Sequence, residues 1–537
     1  MSFPYTDEMM ESVAKVEATR KERMGMDLPR MSAADKDALL KKFHPDYNDD
    51  AFEILKAGAN KGEKAPKELA AMLQARSRVE NVSLDLAHPD YDVDVLIIGG
   101  GGAGTSAALE AYNAGANVLL VTKLRMGDAN TMMAEGGIQA ADKANDSPAQ
   151  HYLDVMGGGH YANVPELVEK LVMEGPAAVE WLENLGVLFD KDAEGNMITI
   201  HGGGTSRKRM HAARDYTGRE IMRVLRDEVQ NRQIPVVDYT AAIELIKDTE
   251  GKAAGAVLMN METGELMVAR AKTTIIATGG AGRMHYQGFP TSNHYGATAD
   301  GLVLAYRAGA RLLYQDSLQY HPTGAAFPAQ IFGALVTEKV RSCGAQLVNR
   351  EGVAYINPLE TRDVEAAGVI REVTERHLGV HTPTQDGVWL DTPLIEALHG
   401  EGTIEKRIPG MLRMYGRLDI DIRKVPIVVY PTLHYQNGGI RITADGQSDI
   451  PNLFVGGEAS GGVQGRNRLM GNSLLDVVVF GRNAGRSAGK AFRNVTLSDL
   501  TLDHVAAFEK ECEAAGIHSD AVSPKLLPDY RRKMTRL

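Results

Sequence analysis

The sequence predicts an α/β fold, in which a largely parallel sheet is covered by helices and preceded by a helical N-terminal extension. At residue 91 a polar, helix-favouring stretch gives way to a strand-like run over 92–98, which is rich in β-branched residues. A glycine-rich turn follows over 99–104, and a helix is predicted over 105–113. Strand-like and helical patterns then alternate to about residue 320. A chain of 537 residues is also too long for one hydrophobic core, so more than one domain is expected.

Residues 1–90 form the predicted N-terminal extension, which is polar and rich in Lys, Glu and Asp. Within it, the sequence predicts an amphipathic helix from Ala65 to Glu80. The side chains that recur there at helical spacing are Leu69, Met72, Leu73 and Arg76. We interpret the extension as an arm that either packs on the main body or docks a partner. A solvated extension without either role is left open as an alternative.

Composition narrows the class of protein. The formal net charge of −11 argues against a nucleic-acid-binding surface. The two cysteines, Cys343 and Cys512, are too few for a disulfide framework or for a cysteine-ligated iron–sulfur cluster within the chain, and no metal site is predicted. The N-terminus has no apolar export segment, and no run approaches the roughly 18 to 20 apolar residues that span a bilayer. We therefore expect a soluble cytoplasmic protein that reaches a membrane only through a partner.

The later elements follow the same patterns. Apolar strands are predicted over 273–278, 427–429 and 452–455, and a closing helix from Ser473 to about Phe492. Between residues 321 and 425 the pattern is less regular and rich in turns.

The turn at 99–104 contains the pattern G-x-G-x-x-G, formed by Gly99, Gly101 and Gly104. Directly after a strand and before a helix, this pattern is typical of a Rossmann-type dinucleotide site, because the glycines permit a tight turn and a close approach of the backbone to a pyrophosphate. A glycine-rich turn without a ligand is the alternative. At the end of the second predicted strand, 117–122, Thr122-Lys123 stands where NAD enzymes carry an acidic residue. This favours FAD over NAD.

The segment TKLRMGDANTMMAEGG over 122–137 resembles the FAD segment of the fumarate reductase and succinate dehydrogenase flavoproteins and of L-aspartate oxidase. Further motifs follow in the order of that family at 277–282, 299–301, 319–324, 337–341, 361–363, 431–435 and 456–474. The resemblance spans about residues 91–492. It implies a Rossmann-type FAD-binding domain over 91–320 and 426–492, an inserted α+β capping domain over 321–425, and a short C-terminal tail over 493–537.

The resemblance also implies which residues contact FAD. They are Gly99, Gly101, Gly102, Ala103, Gly104, Thr122, Lys123, Asn130, Thr131, Gly136, Gly137, Asp300, Glu458, Ser473 and Leu474. Quinone-linked members of the family attach FAD covalently through a histidine, and Asn130 stands at that position here. An amide cannot form that bond, so we expect non-covalent FAD. Because covalent attachment tends to raise the flavin potential, we also hypothesise a bias toward fumarate reduction.

Reduction of a dicarboxylate alkene needs cations or donors for both carboxylates, a hydride source and a proton donor. The family positions that bind the carboxylates are occupied by His321, Thr337, His434 and Arg468. Arg362 matches the proton donor of the family, and Glu338 and Arg341 match the relay that reprotonates it. Taken singly, such histidines and arginines are more often structural, and their order within the motifs is what favours function.

These implications favour a flavoprotein catalytic subunit that interconverts fumarate and succinate. L-aspartate oxidase is the alternative. Its members carry a glutamate, suited to the aspartate ammonium, where this chain has Gly202. Two further possibilities are a substituted succinate as substrate and a non-catalytic electron-transfer flavoprotein. Without a cysteine cluster of its own, the chain is expected to exchange electrons with a separate iron–sulfur subunit.

Overall fold

A computed structural model describes residues 4–528. Residues 1–3 of the predicted extension and 529–537 of the predicted tail, including the basic run at 531–533, lie outside the described residues.

The N-terminal extension contains two longer helices followed by short elements. Its elements are α1 (Asp7–Arg23), α2 (Ala33–Phe43), β1 (Phe52–Ile54), β2 (Lys64–Pro66), α3 (Lys67–Leu73) and β3 (Arg76–Ser77). The prediction of one helix from Ala65 to Glu80 is wrong, because Lys64–Pro66 pairs with β1 and Arg76–Ser77 pairs with a strand at 522–523. Strand pairing with distant residues thus overrides the local helical spacing.

The extension packs on the main body. The guanidinium of Arg23 lies 2.7 Å from the carboxylate of Asp391, and both side chains are buried. The hydroxyl of Tyr5 donates to the carbonyl oxygen of Pro426 at 2.7 Å. Of the two roles considered for the arm, the structure therefore shows the packed one.

The first part of the FAD-binding domain alternates strands and helices as expected. Its elements are β4 (Tyr91–Ile98), α4 (Gly102–Asn113), β5 (Val118–Val121), α5 (Asn130–Met133), β6 (Ile138–Gln139), α6 (Pro148–Gly158), α7 (Pro165–Leu185), β7 (Thr199–Ile200), β8 (Met210–His211), α8 (Thr217–Asn231), β9 (Val236–Val237), β10 (Thr240–Asp248), β11 (Ala253–Asn260), β12 (Leu266–Ile276), α9 (Asp300–Arg307) and β13 (Leu312–Leu313). The first helix begins at Gly102, three residues before the predicted start, because the glycines of the turn themselves adopt its first turn. The strand predicted over 273–278 is the end of the longer β12.

The capping domain follows. Its elements are β14 (Leu318–Ala325), α10 (Lys339–Ser342), β15 (Gln346–Val348), α11 (Arg362–Thr374), β16 (Val388–Asp391), α12 (Pro393–His399), α13 (Thr403–Arg407), α14 (Pro409–Gly416) and β17 (Ile427–Gln436). Its four-stranded sheet is antiparallel, with the order β14-β17-β16-β15. Strand β17, which the sequence groups with the second FAD-binding part, lies in the middle of this sheet and connects the two domains.

The chain then returns to the FAD-binding domain. The remaining elements are β18 (Gly439–Arg441), β19 (Leu453–Val455), β20 (Ser460–Gly461), α15 (Asn472–Ala491), β21 (Leu500–Thr501), α16 (Asp503–Ala514) and β22 (Val522–Ser523). The closing helix predicted from Ser473 to Phe492 is α15, displaced by one residue at each end.

The main sheet is built around β12. Strands β19, β12, β4, β5 and β9 run parallel, while β12, β11, β10 and β21 pair antiparallel. Strands β5 and β19 and the second half of β4 are buried, as expected for parallel strands with helices on the faces of the sheet. The predicted α/β fold is confirmed. Among residues 4–528, no helix combines the length and the apolar character needed to cross a bilayer.

Candidate active site

One large cavity lies where the carboxyl ends of the parallel strands meet the capping domain. Its volume is about 1560 Å³, including the open mouth. Every residue predicted to belong to the site lines this cavity, except Gly104 and Arg341. A crevice at the carboxyl ends of parallel strands is where Rossmann-type folds bind dinucleotides.

The glycine-rich loop forms one wall of the cavity. Gly99 has a φ of 116°, and a Cβ at this position would lie 2.3 Å from the carbonyl oxygen of Ala277. A Cβ on Gly104 would lie 1.8 Å from the carbonyl oxygen of Gly99. Gly104 therefore acts by letting helix and turn pack, although it does not line the cavity. The tight turn brings the N-terminus of α4, at Gly102 and Ala103, to the cavity wall, and this arrangement fits the pyrophosphate of FAD.

Lys123 and Asp300 form a polar pair at the end of β5. The ammonium of Lys123 donates to the carboxylate of Asp300 and, at 2.6 Å, to the hydroxyl of Thr298. In a Rossmann unit the end of the second strand lies beside the ribose of the adenosine. This pair therefore fits the adenosine end of FAD.

Asn130 is held by protein groups on both sides of its amide. Its Nδ2 donates to Oδ1 of Asn293 at 2.7 Å, and its Oδ1 accepts from the backbone amide of His294 at 2.6 Å. The nearby carboxylate of Glu458 accepts from the backbone amide of Gln436 at 3.0 Å, and its burial raises the pKa of this carboxyl. Asn130 thus acts as a fixed part of the cavity wall.

Two arginines meet at a single amide oxygen in the part of the cavity beside the capping domain. Nη1 of Arg362 and Nη2 of Arg468 each donate to Oε1 of Gln319 at 2.9 Å. Arg468 also donates to the hydroxyl of Ser473 at 3.0 Å and lies over the ring of Tyr435, 4.4 Å from its centroid. Burial, together with the charge of Arg362, lowers the pKa of Arg468 to about 9.

Arg468 has no carboxylate within salt-bridge distance among residues 4–528, and its buried Nε has no hydrogen-bond partner there. A buried cation without an anion is costly. The arrangement therefore provides a binding site for an anionic ligand.

Two histidines complete this part of the cavity. The rings of His321 and His434 lie with their centroids 4.9 Å apart. Burial lowers the pKa of both imidazoles well below the usual value, and the charge of Arg362 lowers them further. Nδ1 of His434 lies 2.7 Å from the hydroxyl of Ser292, while the buried Nε2 of His321 has no partner among the described residues. Both rings are therefore neutral near pH 7 and available to a ligand as hydrogen-bonding groups.

A buried chain of charges leads away from Arg362. Its Nε donates to Oε2 of Glu338 at 2.7 Å, and Nη2 of Arg341 lies 3.7 Å from the same oxygen. Arg341 lies behind Glu338, which explains why it does not line the cavity, and its Nη1 donates to Glu365. Burial raises the pKa of Glu338, but Arg362 and Arg341 outweigh this effect and lower it below the usual value.

Sequence reasoning missed several residues of this arrangement. Gln319 stands two positions before His321 in a recognised motif, and its role could have been inferred from that position. Ser292 and Glu365 carried no such signal, whereas Gly203 directly follows Gly202, the position compared above with L-aspartate oxidase. Gly203 matters because its backbone amide donates to Oε1 of Glu338, and a Cβ there would lie 2.6 Å from that oxygen.

Comparisons with known proteins agree with this geometry. The family model described as FAD binding domain matches residues 94–474. A fumarate reductase (CoM/CoB) chain of Methanothermobacter marburgensis is 39% identical over 410 residues, which cover 74% of this chain and 73% of that protein. The chain belongs to this family of FAD-binding flavoproteins.

Other members of the flavoprotein family are similar over comparable lengths. The L-aspartate oxidase of Streptomyces coelicolor is 35% identical over 418 residues, covering 75% of this chain and 70% of that protein. A mutant of the E. coli quinol fumarate reductase superposes with a TM-score of 0.71 at 31% identity, covering 79% of this chain and 73% of that chain. This flavoprotein is therefore an FAD-dependent oxidoreductase of the fumarate reductase and succinate dehydrogenase type.

Proposed function

We propose that this flavoprotein is the catalytic subunit of a complex that interconverts fumarate and succinate, or a succinate with a substituent. The observation that carries the proposal is the pair Arg362 and Arg468, which share Gln319 at the wall of the cavity. Arg468 has no anionic partner among the described residues. A dicarboxylate supplies the negative charge that Arg468 lacks.

The residues divide the two carboxylates between them. In this proposal, Arg468 and His434 bind one carboxylate, and His321 and Thr337 bind the other. A guanidinium can engage a carboxylate through two parallel hydrogen bonds. The neutral imidazoles add donors without adding charge, since their pKa values lie well below the usual value. The alkene between the carboxylates is thereby held in one orientation.

Bound FAD supplies hydride transfer to one alkene carbon, or accepts the hydride in the reverse direction. Arg362 gives a guanidinium proton to the other carbon in the reductive direction. Arg341 then passes a proton to the ionised Glu338, and Glu338 hands this proton on to the neutral guanidine that the donation leaves at Arg362. A guanidinium releases its proton only reluctantly in water, so this donation depends on a closed site and on the adjacent carboxylate.

We also infer that FAD is held without a covalent bond. The inference is supported by Asn130, whose amide is occupied by Asn293 and His294. In acid-precipitated protein, the flavin should stay in the supernatant. Flavin that remains with the pellet would contradict the inference.

The flavin must exchange electrons with a second protein. Of the two cysteines, Cys343 and Cys512, both are buried and free, so the chain has no thiolate set for a cluster. We propose that the partner is a separate iron–sulfur protein, that the location is cytoplasmic, and that contact with a membrane occurs only through partners. Several relatives are named as subunits, which supports an assembly of some kind. A bias toward fumarate reduction follows from the proposal of non-covalent FAD.

The reaction is tested with an artificial dye as the electron carrier, so that no partner is needed. The substrates are fumarate, succinate, L-aspartate and substituted succinates. We expect turnover of the dicarboxylates and no oxidation of L-aspartate, because Gly202 offers no counter-charge for an ammonium. Oxidation of L-aspartate would favour the aspartate oxidase alternative.

A further inference from the structure

The C-terminal tail touches the adenosine end of the cavity. We propose that the backbone at Leu526 supports the cofactor site from behind, where it holds Lys123 and Asp300 in the positions that bind the adenosine end of FAD. The inference rests on the FAD site and is independent of the substrate.

The backbone carbonyl and the backbone amide of Leu526 both form hydrogen bonds. Its carbonyl oxygen accepts from Nζ of Lys123 at 2.5 Å and from the hydroxyl of Thr298 at 3.1 Å. Its amide donates to Oδ1 of Asp300 at 3.3 Å. The residue is 3% exposed. The tail therefore contacts the same two side chains that face the adenosine.

The ammonium of Lys123 has three hydrogens, and each has an acceptor. Asp300 and Thr298 take two of them, and the carbonyl oxygen of Leu526 takes the third. Without the tail, one of these three hydrogen bonds is lost, and the four-carbon side chain of Lys123 is held less firmly at the cavity wall. A site that must be ordered on binding has a lower affinity than one that is already ordered.

The backbone conformation at Leu526 supports a specific role. Its φ is 67°, in the left-handed region that residues with a Cβ rarely adopt. Such a conformation is unfavourable for a residue with a Cβ and persists only where surrounding contacts stabilise it.

The tail is anchored by the N-terminal extension. Strand β22 pairs in parallel with β3, so that Ser523 lies opposite Ser77. Nε of Arg78 donates to the carbonyl oxygen of Pro524 at 2.6 Å. Arg307, on the helix that begins with Asp300, donates to Ser523 and forms a buried ion pair with Glu244 at 2.6 Å.

Both segments lie outside the part of the chain that the family model matches, 94–474. They nevertheless meet behind Lys123 and Asp300, which line the cofactor cavity. The extension and the tail thus act together as a clasp, which we define as residues 76–78 and 522–526.

The first test compares two shortened chains. One ends after Ala521 and lacks the tail part of the clasp, and the matched control ends after Pro528 and retains it. Affinity for FAD is measured by flavin fluorescence on the apoprotein, and folding by circular dichroism. We expect the first chain to bind FAD about tenfold or more weakly, in line with the loss of hydrogen bonds to charged groups, and the control to bind FAD as the full chain does.

Fragments of the cofactor show which end is affected. ADP should lose affinity for the chain that ends after Ala521 in the same proportion as FAD, whereas riboflavin should bind both chains equally. Equal loss for ADP and riboflavin would indicate a general structural effect and would contradict the proposal. Unchanged affinity for FAD and ADP in a folded chain would also overturn it.

If the chain that ends after Ala521 does not fold, a point substitution in the full-length chain tests the proposal instead. Arg78→Ala removes the hydrogen bond to Pro524 in a chain of full length. Arg76→Ala is its control, because it keeps the backbone pairing with Val522 and removes only an exposed side chain that is paired with Glu80. We expect weaker binding of ADP for Arg78→Ala alone. Equal ADP affinity of both variants would overturn the proposal. Since no substrate is present, failure of the fumarate reaction would leave this outcome unaffected.

Discussion

Nε of Arg362 donates to Oε2 of Glu338 at 2.7 Å, and both side chains are buried. This ion pair links the cavity to Arg341, which lies behind it. Since the two guanidiniums lower the pKa of Glu338 despite its burial, the carboxylate is ionised at neutral pH. The pair thus places an ionised carboxylate directly beside the guanidinium of Arg362, as the proposed proton relay requires.

Replacement of Arg362 by Ala removes the proposed proton donor. We expect turnover of fumarate to fall by about 10² to 10⁴, the usual contribution of a positioned acid, while the flavin absorption spectrum stays unchanged. Arg423→Ala is the matched control, because Arg423 is an exposed arginine paired with Asp421. Substantial residual activity of the Arg362 variant would contradict the proposed mechanism.

Gln319 positions both arginines through one oxygen. Gln319→Met keeps the volume but removes this acceptor, and we expect kcat/KM for fumarate to fall about 10- to 100-fold, as for the loss of hydrogen bonds to charged groups. Gln319→Glu adds a negative charge that competes with the substrate, so it should raise KM more than the Met variant does. Equal KM values for both variants would argue against an anionic ligand at Arg468.

Gly104 tests the packing of the cofactor loop. In Gly104→Ala, the new Cβ would lie 1.8 Å from the carbonyl oxygen of Gly99, so the turn must move. We expect loss of FAD binding in fluorescence titrations. Gly416→Ala is the control, because a Cβ there meets nothing within 4 Å. Normal FAD affinity of the Gly104 variant would show that the turn can adjust.

Two buried histidines are expected to make the free energy of unfolding depend on pH in the acidic range. Burial lowers the pKa of His44 and of His151 from 6.5 to about 4. Between these values the unfolded chain binds protons that the folded chain does not, so the free energy of unfolding falls as the pH drops from 6.5 to about 4. The slope is up to ~1.4 kcal/mol per pH unit for each histidine.

Urea titrations at several pH values measure this slope. His151→Gln should reduce it, while His381→Gln, at an exposed side chain, should leave it unchanged. Equal slopes for the wild-type protein and the His151 variant would contradict the assignment.

How much the sequence could predict depends on how local each feature is. The strand β4, the glycine turn and α4 are adjacent in the chain, so their pattern alone indicated a dinucleotide site. The failure at 65–80 has the opposite cause, since Arg76–Ser77 forms its strand with a segment more than 400 residues away.

The same distinction, between features that are local in the sequence and features that join distant segments, holds in the candidate active site. The positions of Arg362 and Arg468 were available from motifs, but their shared contact with Gln319 joins three separate segments and becomes visible only in the folded chain. The contact of Leu526 with Lys123 spans 403 residues and follows no known motif.

We propose above all that the cavity binds a dicarboxylate beside FAD, where the central C–C bond of the dicarboxylate is reduced or oxidised. The most direct test is a steady-state assay of the FAD-loaded protein with a reduced dye and fumarate, beside a parallel assay of L-aspartate with an oxidised dye. We expect fumarate to oxidise the reduced dye at a rate proportional to the protein concentration, and L-aspartate to reduce no dye. Reduction by L-aspartate, or no turnover of fumarate or of any substituted analogue, would contradict it.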